Sequence, residues 1–156
     1  MEELQAAKQW AARRLAMKSY RSEELRAKML AKFPEEVVEL VIAQFTQFGY
    51  LNDEEWLKSQ IRQQKSRNKG VKAILFYLLG KGIAREAAEK ALQQEVSEEE
   101  QEVALGQWIH KKSRQYDPKD RKARDKLIAS LLRKGFSYEM IKKKIQIIEY
   151  QSSFEE

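Results

Sequence analysis

The chain contains no cysteine, and that absence removes disulfide frameworks and thiolate metal sites at the outset. A single histidine, His110, leaves no imidazole cluster for zinc, so no metal and no cofactor are expected. Two prolines and six glycines are too few for a loop-rich or disordered chain. Long apolar runs are missing as well. The longest, Val37 to Ala43 and Ala73 to Leu79, fall far short of the ~20 residues that a membrane span requires. Glu2 and Glu3 stand where a secretory signal would carry basic residues. The expectation is a cytoplasmic protein without a membrane partner.

What is present is charge, on 35% of residues against a usual quarter, with 42% hydrophobic residues for a core. The net charge of +6 favours a polyanionic partner, either nucleic acid or an acidic protein surface. Apolar residues recur at helical spacing throughout, as in Leu4, Ala7, Ala11 and Leu15, or Val71, Ile74, Leu75 and Leu78. No segment alternates at period two. Asn52 with Glu55 and Ser97 with Glu100 read as capping boxes, and Asp117-Pro118 reads as a helix start. Pro34 reads as another. Gly49, Gly70, Gly82 and Gly135 are placed where a left-handed residue ends a helix, whereas Gly106 falls inside one.

Internal similarity organises these helices. Met29-Leu30-Ala31-Lys32-Phe33-Pro34 aligns with Leu78-Leu79-Gly80-Lys81-Gly82-Ile83 and with Leu131-Leu132-Arg133-Lys134-Gly135-Phe136. Upstream of each copy a helix carries a tryptophan: Trp10, Trp56 and Trp108. The unit is helix, helix, turn, helix, recurring every ~50 residues. An all-α chain is therefore expected, with three tandem three-helix repeats over 3–51, 52–96 and 97–150 and a polar tail over 151–156. Repeats this small must pack on one another, predicting an elongated, curved array, right-handed or bundle-like. A single globular bundle is the alternative. Leu78 and Leu131 are expected in the core, and the recurrence of the tryptophans assigns them there rather than to base stacking.

The ordered motifs resemble those of the RecX regulatory proteins. The run Gly49-Tyr50-Leu51-Asn52-Asp53, Arg62, Arg67, Lys69-Gly70, Ile74, Leu78 and Gly80-Lys81-Gly82-Ile83 carries the likeness. Arg133-Lys134-Gly135-Phe136-Ser137 and Tyr20-Arg21-Ser22-Glu23-Glu24-Leu25 extend it over nearly the whole chain. The compressed turn Lys32-Phe33-Pro34 departs from the family pattern. So does Asn68-Lys69-Gly70-Val71, where an aromatic-glycine pair is usual. The resemblance implies three three-helix repeats and a non-enzymatic partner of the RecA filament. Such a protein blocks the filament's extension, ATP hydrolysis and strand exchange, with weak, non-specific affinity for DNA.

Charge placement suggests where such a partner would bind. The stretch from Trp56 to Arg85 contains no acid but holds Lys58, Arg62, Lys65, Arg67, Lys69, Lys72, Lys81 and Arg85. Lys58, Arg62, Lys65 and Lys69 follow at helical steps, so one face would carry a self-repelling stripe that an anionic partner relieves. A second cluster holds Lys111, Lys112, Arg114, Arg121, Lys122 and Arg124, with Lys134 beyond it and Lys142, Lys143 and Lys144 as a third. The bland alternative is a solvated face, and Glu86 to Glu102 reads as helix capping and solubility. His110 has no nucleophile or orienting acid nearby in sequence, and there is no phosphate-cradling glycine loop, so no catalytic residue is expected. Three functions compete: a monomeric regulator of the RecA filament, a DNA-binding helical-repeat protein, and an adaptor for an unrelated acidic partner.

Overall fold

A computed structural model describes residues 2–112, 117 and 120–155, with no side-chain account after residue 151. Among the described residues there are nine helices and no strand. They are α1 (Glu2–Met17), α2 (Ser22–Leu30), α3 (Glu35–Gln47), α4 (Asp53–Ser66), α5 (Val71–Gly80), α6 (Arg85–Glu95), α7 (Glu98–Lys112), α8 (Arg121–Arg133) and α9 (Tyr138–Glu155). The chain forms two compact units, 1–59 and 60–156, which divide inside α4.

In the first unit α1 and α2 both pack on α3. Ala7 and Ala11 give α1 a flat, fully buried face. Leu25 and Met29 of α2 and Val38, Val41, Ile42 and Phe45 of α3 fill the space opposite. Pro34 takes the N-cap position of α3 in an extended conformation, one residue before the helix proper. Asp53, in the first turn of α4, accepts hydrogen bonds from the Ser22 backbone N–H (2.8 Å) and hydroxyl (2.6 Å). That carboxylate satisfies a free N–H at the start of α2, where Arg21 offers no side-chain cap.

In the second unit α5 pairs with α6, while α7, α8 and α9 pack mutually. Leu105, Leu131, Phe136, Ile141 and Ile145 form the core of the latter group, with Leu131 fully buried as its spacing implies. Ile74 and Leu78, one turn apart on α5, are also fully buried. Helix starts follow ordinary capping chemistry. Ser97 and Glu100 exchange both bonds of a capping box, and Asn52 accepts from the Glu55 N–H at 3.1 Å. The start of α8 differs from the expectation: Asp120 caps it by accepting from the Lys122 and Ala123 N–H groups. Pro118, in the expected cap, lies outside the described residues.

One glycine departs from its expected role. Gly49, Gly82 and Gly135 have positive φ as helix-ending residues should, but Gly70 does not. It is the extended N-cap of α5, and Asn68 takes the left-handed turn in its place. Gly70 is needed for another reason. Its N–H donates to the Lys134 carbonyl (2.8 Å), and the Lys72 N–H donates to the Gly135 carbonyl (3.1 Å). These two bonds join the α4–α5 turn to the α8–α9 turn, backbone against backbone. A Cβ on Gly70 would lie 2.2 Å from the Gly135 carbonyl carbon, so only glycine permits the approach.

Candidate functional site

The expected lysine and arginine stripe does not survive as one free face. Lys58, Arg62 and Lys65 keep their helical steps along α4. Helix α4 ends at Ser66, so Lys69 lies beyond the left-handed turn at Asn68 and off the face of α4. Lys65 is half-buried and held internally. Its ammonium donates to the Glu95 carbonyl (2.7 Å) and pairs with Glu100 Oε2 (2.5 Å). The acidic start of α7 thus neutralises one member of the stripe, beyond its capping role.

The Glu100 carboxyl is held below its ordinary range, first by the hydrogen bond from Lys65 and then by the bond from the Ser97 N–H. Stability linked to this group is present above the unfolded carboxylate range and is lost as pH falls through the folded value. Glu100→Gln is therefore expected to lower stability above the carboxylate range and to change it little below the folded value, which flattens the acid side of the stability profile. Thermal melts across the acidic range check this, and identical acid limbs in variant and parent would contradict it.

A different gathering of cations forms where the bridged turns meet α7. The Asn68 carbonyl accepts from the Trp108 indole N–H at 2.6 Å. Gln101 on α7 accepts from the Val71 N–H (2.8 Å) and donates to the Lys69 carbonyl (3.3 Å). With the Gly70 and Gly135 bridge, these bonds bring Lys69, Lys111, Lys112 and Lys134 into one neighbourhood. The Lys134 ammonium lies 3.9 Å from the centre of the Trp108 ring and that of Lys111 5.4 Å from it. Lys112 donates to the Ser130 hydroxyl at 2.5 Å. Lys134 is pushed below its ordinary value, first by burial and then by repulsion from Lys112, Lys69, Lys111 and Arg133. Every charge named there is positive. Such a group favours an anionic ligand.

The other expected residues lie elsewhere. Arg62, Arg67 and Lys72 are exposed. Lys81 lies over the Tyr77 ring at 5.6 Å, and exposed Arg85 pairs with Glu89 along α6 at 3.3 Å. Arg121 and Lys122 are exposed on the first turn of α8, whereas Arg124 approaches Glu149 at 3.8 Å. Arg114 lies outside the described residues. Trp56 is core, as its recurrence suggests, but Trp108 is only partly buried and its outward side carries the lysines. Asn68, Gln101 and Ser130 were not candidates from sequence, because each acts through a partner distant along the chain. Gly106 meets only the Lys144 stem, at 3.5 Å from a built Cβ. No group of three or more metal-ligating side chains exists among the described residues, and no helix there is long and apolar enough to cross a membrane.

Comparison with known proteins gives this arrangement a family. Residues 98–145, covering α7, α8 and part of α9, match the family model of the third three-helix domain of RecX. The regulatory protein RecX of Thermus thermophilus is 30% identical over 105 residues, covering 67% of this chain and 72% of that protein. The chain belongs to the RecX family. RecX of Streptococcus uberis is 32% identical over 108 residues, a match that spans 68% of this chain but 41% of that longer protein. The crystal structure of RecX from Lactobacillus salivarius superposes with a TM-score of 0.84 at 25% identity, covering 96% of this chain and 98% of the other. The nine helices are thus the RecX helical architecture, and these relatives are regulatory proteins.

Proposed function

We propose that this protein is a negative regulator of RecA, binding the RecA–DNA filament and inhibiting its ATPase, strand-exchange and coprotease activities. Membership of the RecX family carries the reading, supported by the likeness in fold over almost the full length of a RecX crystal structure. In this reading the helices group as three repeats, 3–51, 52–96 and 97–150, and the protein acts as a cytoplasmic monomer without cofactor or catalysis. The order α1–α3, α4–α6 and α7–α9 supports the grouping. The filament contacts are the exposed cations of the second unit, Arg62, Arg67 and Lys72, together with the lysines around Trp108.

The test is a titration into RecA hydrolysing ATP on single-stranded DNA. Sub-stoichiometric protein should halt hydrolysis, because a bound regulator that blocks extension acts on more subunits than it touches. Hydrolysis that continues unchanged at equimolar protein would remove the proposal. The lysine cluster around Trp108 also favours weak binding to DNA alone, which is the second reading.

A further inference from the structure

Lys134 closes α8 as its C-cap residue, and hydrogen bonds fix its backbone on both sides. Its N–H donates to the Ser130 carbonyl (3.1 Å), and its own carbonyl accepts from the Gly70 N–H (2.8 Å). The ring it reaches is fixed as well, because the Trp108 indole N–H donates to the Asn68 carbonyl at 2.6 Å. The Lys134 ammonium therefore has a set place, 3.9 Å from the centre of the indole, on a side chain that is half-buried and still reachable from solvent.

Two neighbouring lysines are held by oxygen atoms. Lys65 pairs with Glu100 and donates to the Glu95 carbonyl, and Lys112 donates to the Ser130 hydroxyl. Such acceptors favour the charged form. Lys134 has no carboxylate partner among the described residues. It faces the indole, which attracts the ammonium, and cations from each element packed around it, which repel it. Lys111 and Lys112 come from α7, Lys69 from the α4–α5 turn and Arg133 from α8 itself. Burial first, and then these four charges, hold its pKa below the ordinary lysine value. A lysine desolvated beside other cations carries more free amine near neutral pH than a solvated one, and the free amine is the nucleophile.

The same cations select the reagent. Fixed positive groups around an attacking amine stabilise negative charge that develops on a departing group. An acyl phosphate bears its phosphate on the very oxygen that leaves. A simple thioester carries no charge at that place.

We infer that Lys134 is an acylation site for acyl phosphates. The nitrogen lone pair attacks the acyl carbon and forms a C–N bond, while the bond from that carbon to the phosphate oxygen breaks. The departing phosphate keeps the electron pair and takes the proton that the nitrogen gives up, so the products are an amide and hydrogen phosphate. The amide is neutral, and the group around Trp108 loses one positive charge. The chemistry uses residues of the second unit alone and does not rest on the RecA reading.

The test exposes the full chain to short pulses of acetyl phosphate and follows each lysine by peptide mass spectrometry. Lys90, exposed on α6, is the internal reference. Lys134 should be acetylated several-fold faster than Lys90 near neutral pH, and its rate should level off at a lower pH. With a phosphate-free acetyl thioester that advantage should shrink. Lys111→Gln removes an exposed charge that lies 5.4 Å from the centre of the same ring. It should slow Lys134 more with acetyl phosphate than with the thioester, and the far-ultraviolet helix signal should match the parent.

Modification of Lys134 no faster than that of Lys90 would overturn the inference. So would an equal advantage with both reagents, or a Lys111→Gln chain acetylated at Lys134 as fast as the parent.

Discussion

Gly135→Ala should be strongly destabilising, costing at least about 3 kcal/mol by the combined expense of overpacking and backbone strain. Two penalties fall on the same atom. Gly135 has φ of +97°, a conformation that a Cβ disfavours, and the added carbon would lie 2.4 Å from the Ala73 nitrogen and 2.6 Å from its Cβ. Neither neighbour is the end of a flexible chain, so the backbone itself must move. That movement separates the α8–α9 turn from Gly70 and Lys72 and breaks both bridging hydrogen bonds.

For a chain of this size the melting temperature should fall by roughly 6–12 °C. Gly49→Ala is the control. Gly49 also has positive φ, +82°, but a Cβ there meets nothing within 4 Å, so it bears only the conformational cost of about 1–2 kcal/mol. Equal losses at the two positions, measured by thermal melts followed in the far ultraviolet, would show that the bridge between the turns contributes nothing. The same variant should disturb the lysine group around Trp108, because Lys134 is carried by the residue before Gly135.

The contrast between the two glycines marks the limit of what sequence reveals. Helix periodicity, capping boxes and the buried positions of Ile74, Leu78 and Leu131 are local properties, set by spacing along one helix, and they can be read from the residues alone. The requirement for glycine at position 70 is not local. Its neighbours suggest a helix end, but the atom that excludes a side chain belongs to Gly135, in a turn distant along the chain.

The candidate site divides in the same way. Counting acids from Trp56 to Arg85 identifies a basic segment, yet Glu100 lies outside that window and still neutralises Lys65. Recurrence of tryptophan correctly implies packing for Trp56. It misses the outward side of Trp108, because the Asn68 carbonyl and the Lys134 ammonium reach that ring from other elements. The alignment of Lys32, Lys81 and Lys134 was the available signal, and it requires the tertiary contacts to be understood.

Reversing Arg62 and Arg67 to glutamate should abolish inhibition of RecA in the ATPase titration. Both are exposed, one on α4 and one in the turn after it, and Lys65 between them is already engaged with Glu100. The outward charge of this segment therefore depends on the two arginines and on Lys69 and Lys72 beyond them. Each reversal replaces an attraction to an anionic partner with a repulsion, worth roughly tenfold or more in affinity at about 1.4 kcal/mol per decade. Two reversals should move half-maximal inhibition by at least about a hundredfold, beyond any useful concentration. The fold should be nearly unaffected, since exposed charges contribute little to stability. Far-ultraviolet helix content and melting temperature check that point. Reversal of Lys142, Lys143 and Lys144 on α9 should weaken inhibition less, because Lys144 is half-buried with its stem beside Gly106 and presents less of its charge outward. If the arginine variant inhibits as well as the parent while the α9 variant does not, the inhibitory surface lies on α9 and not on the α4–α5 segment.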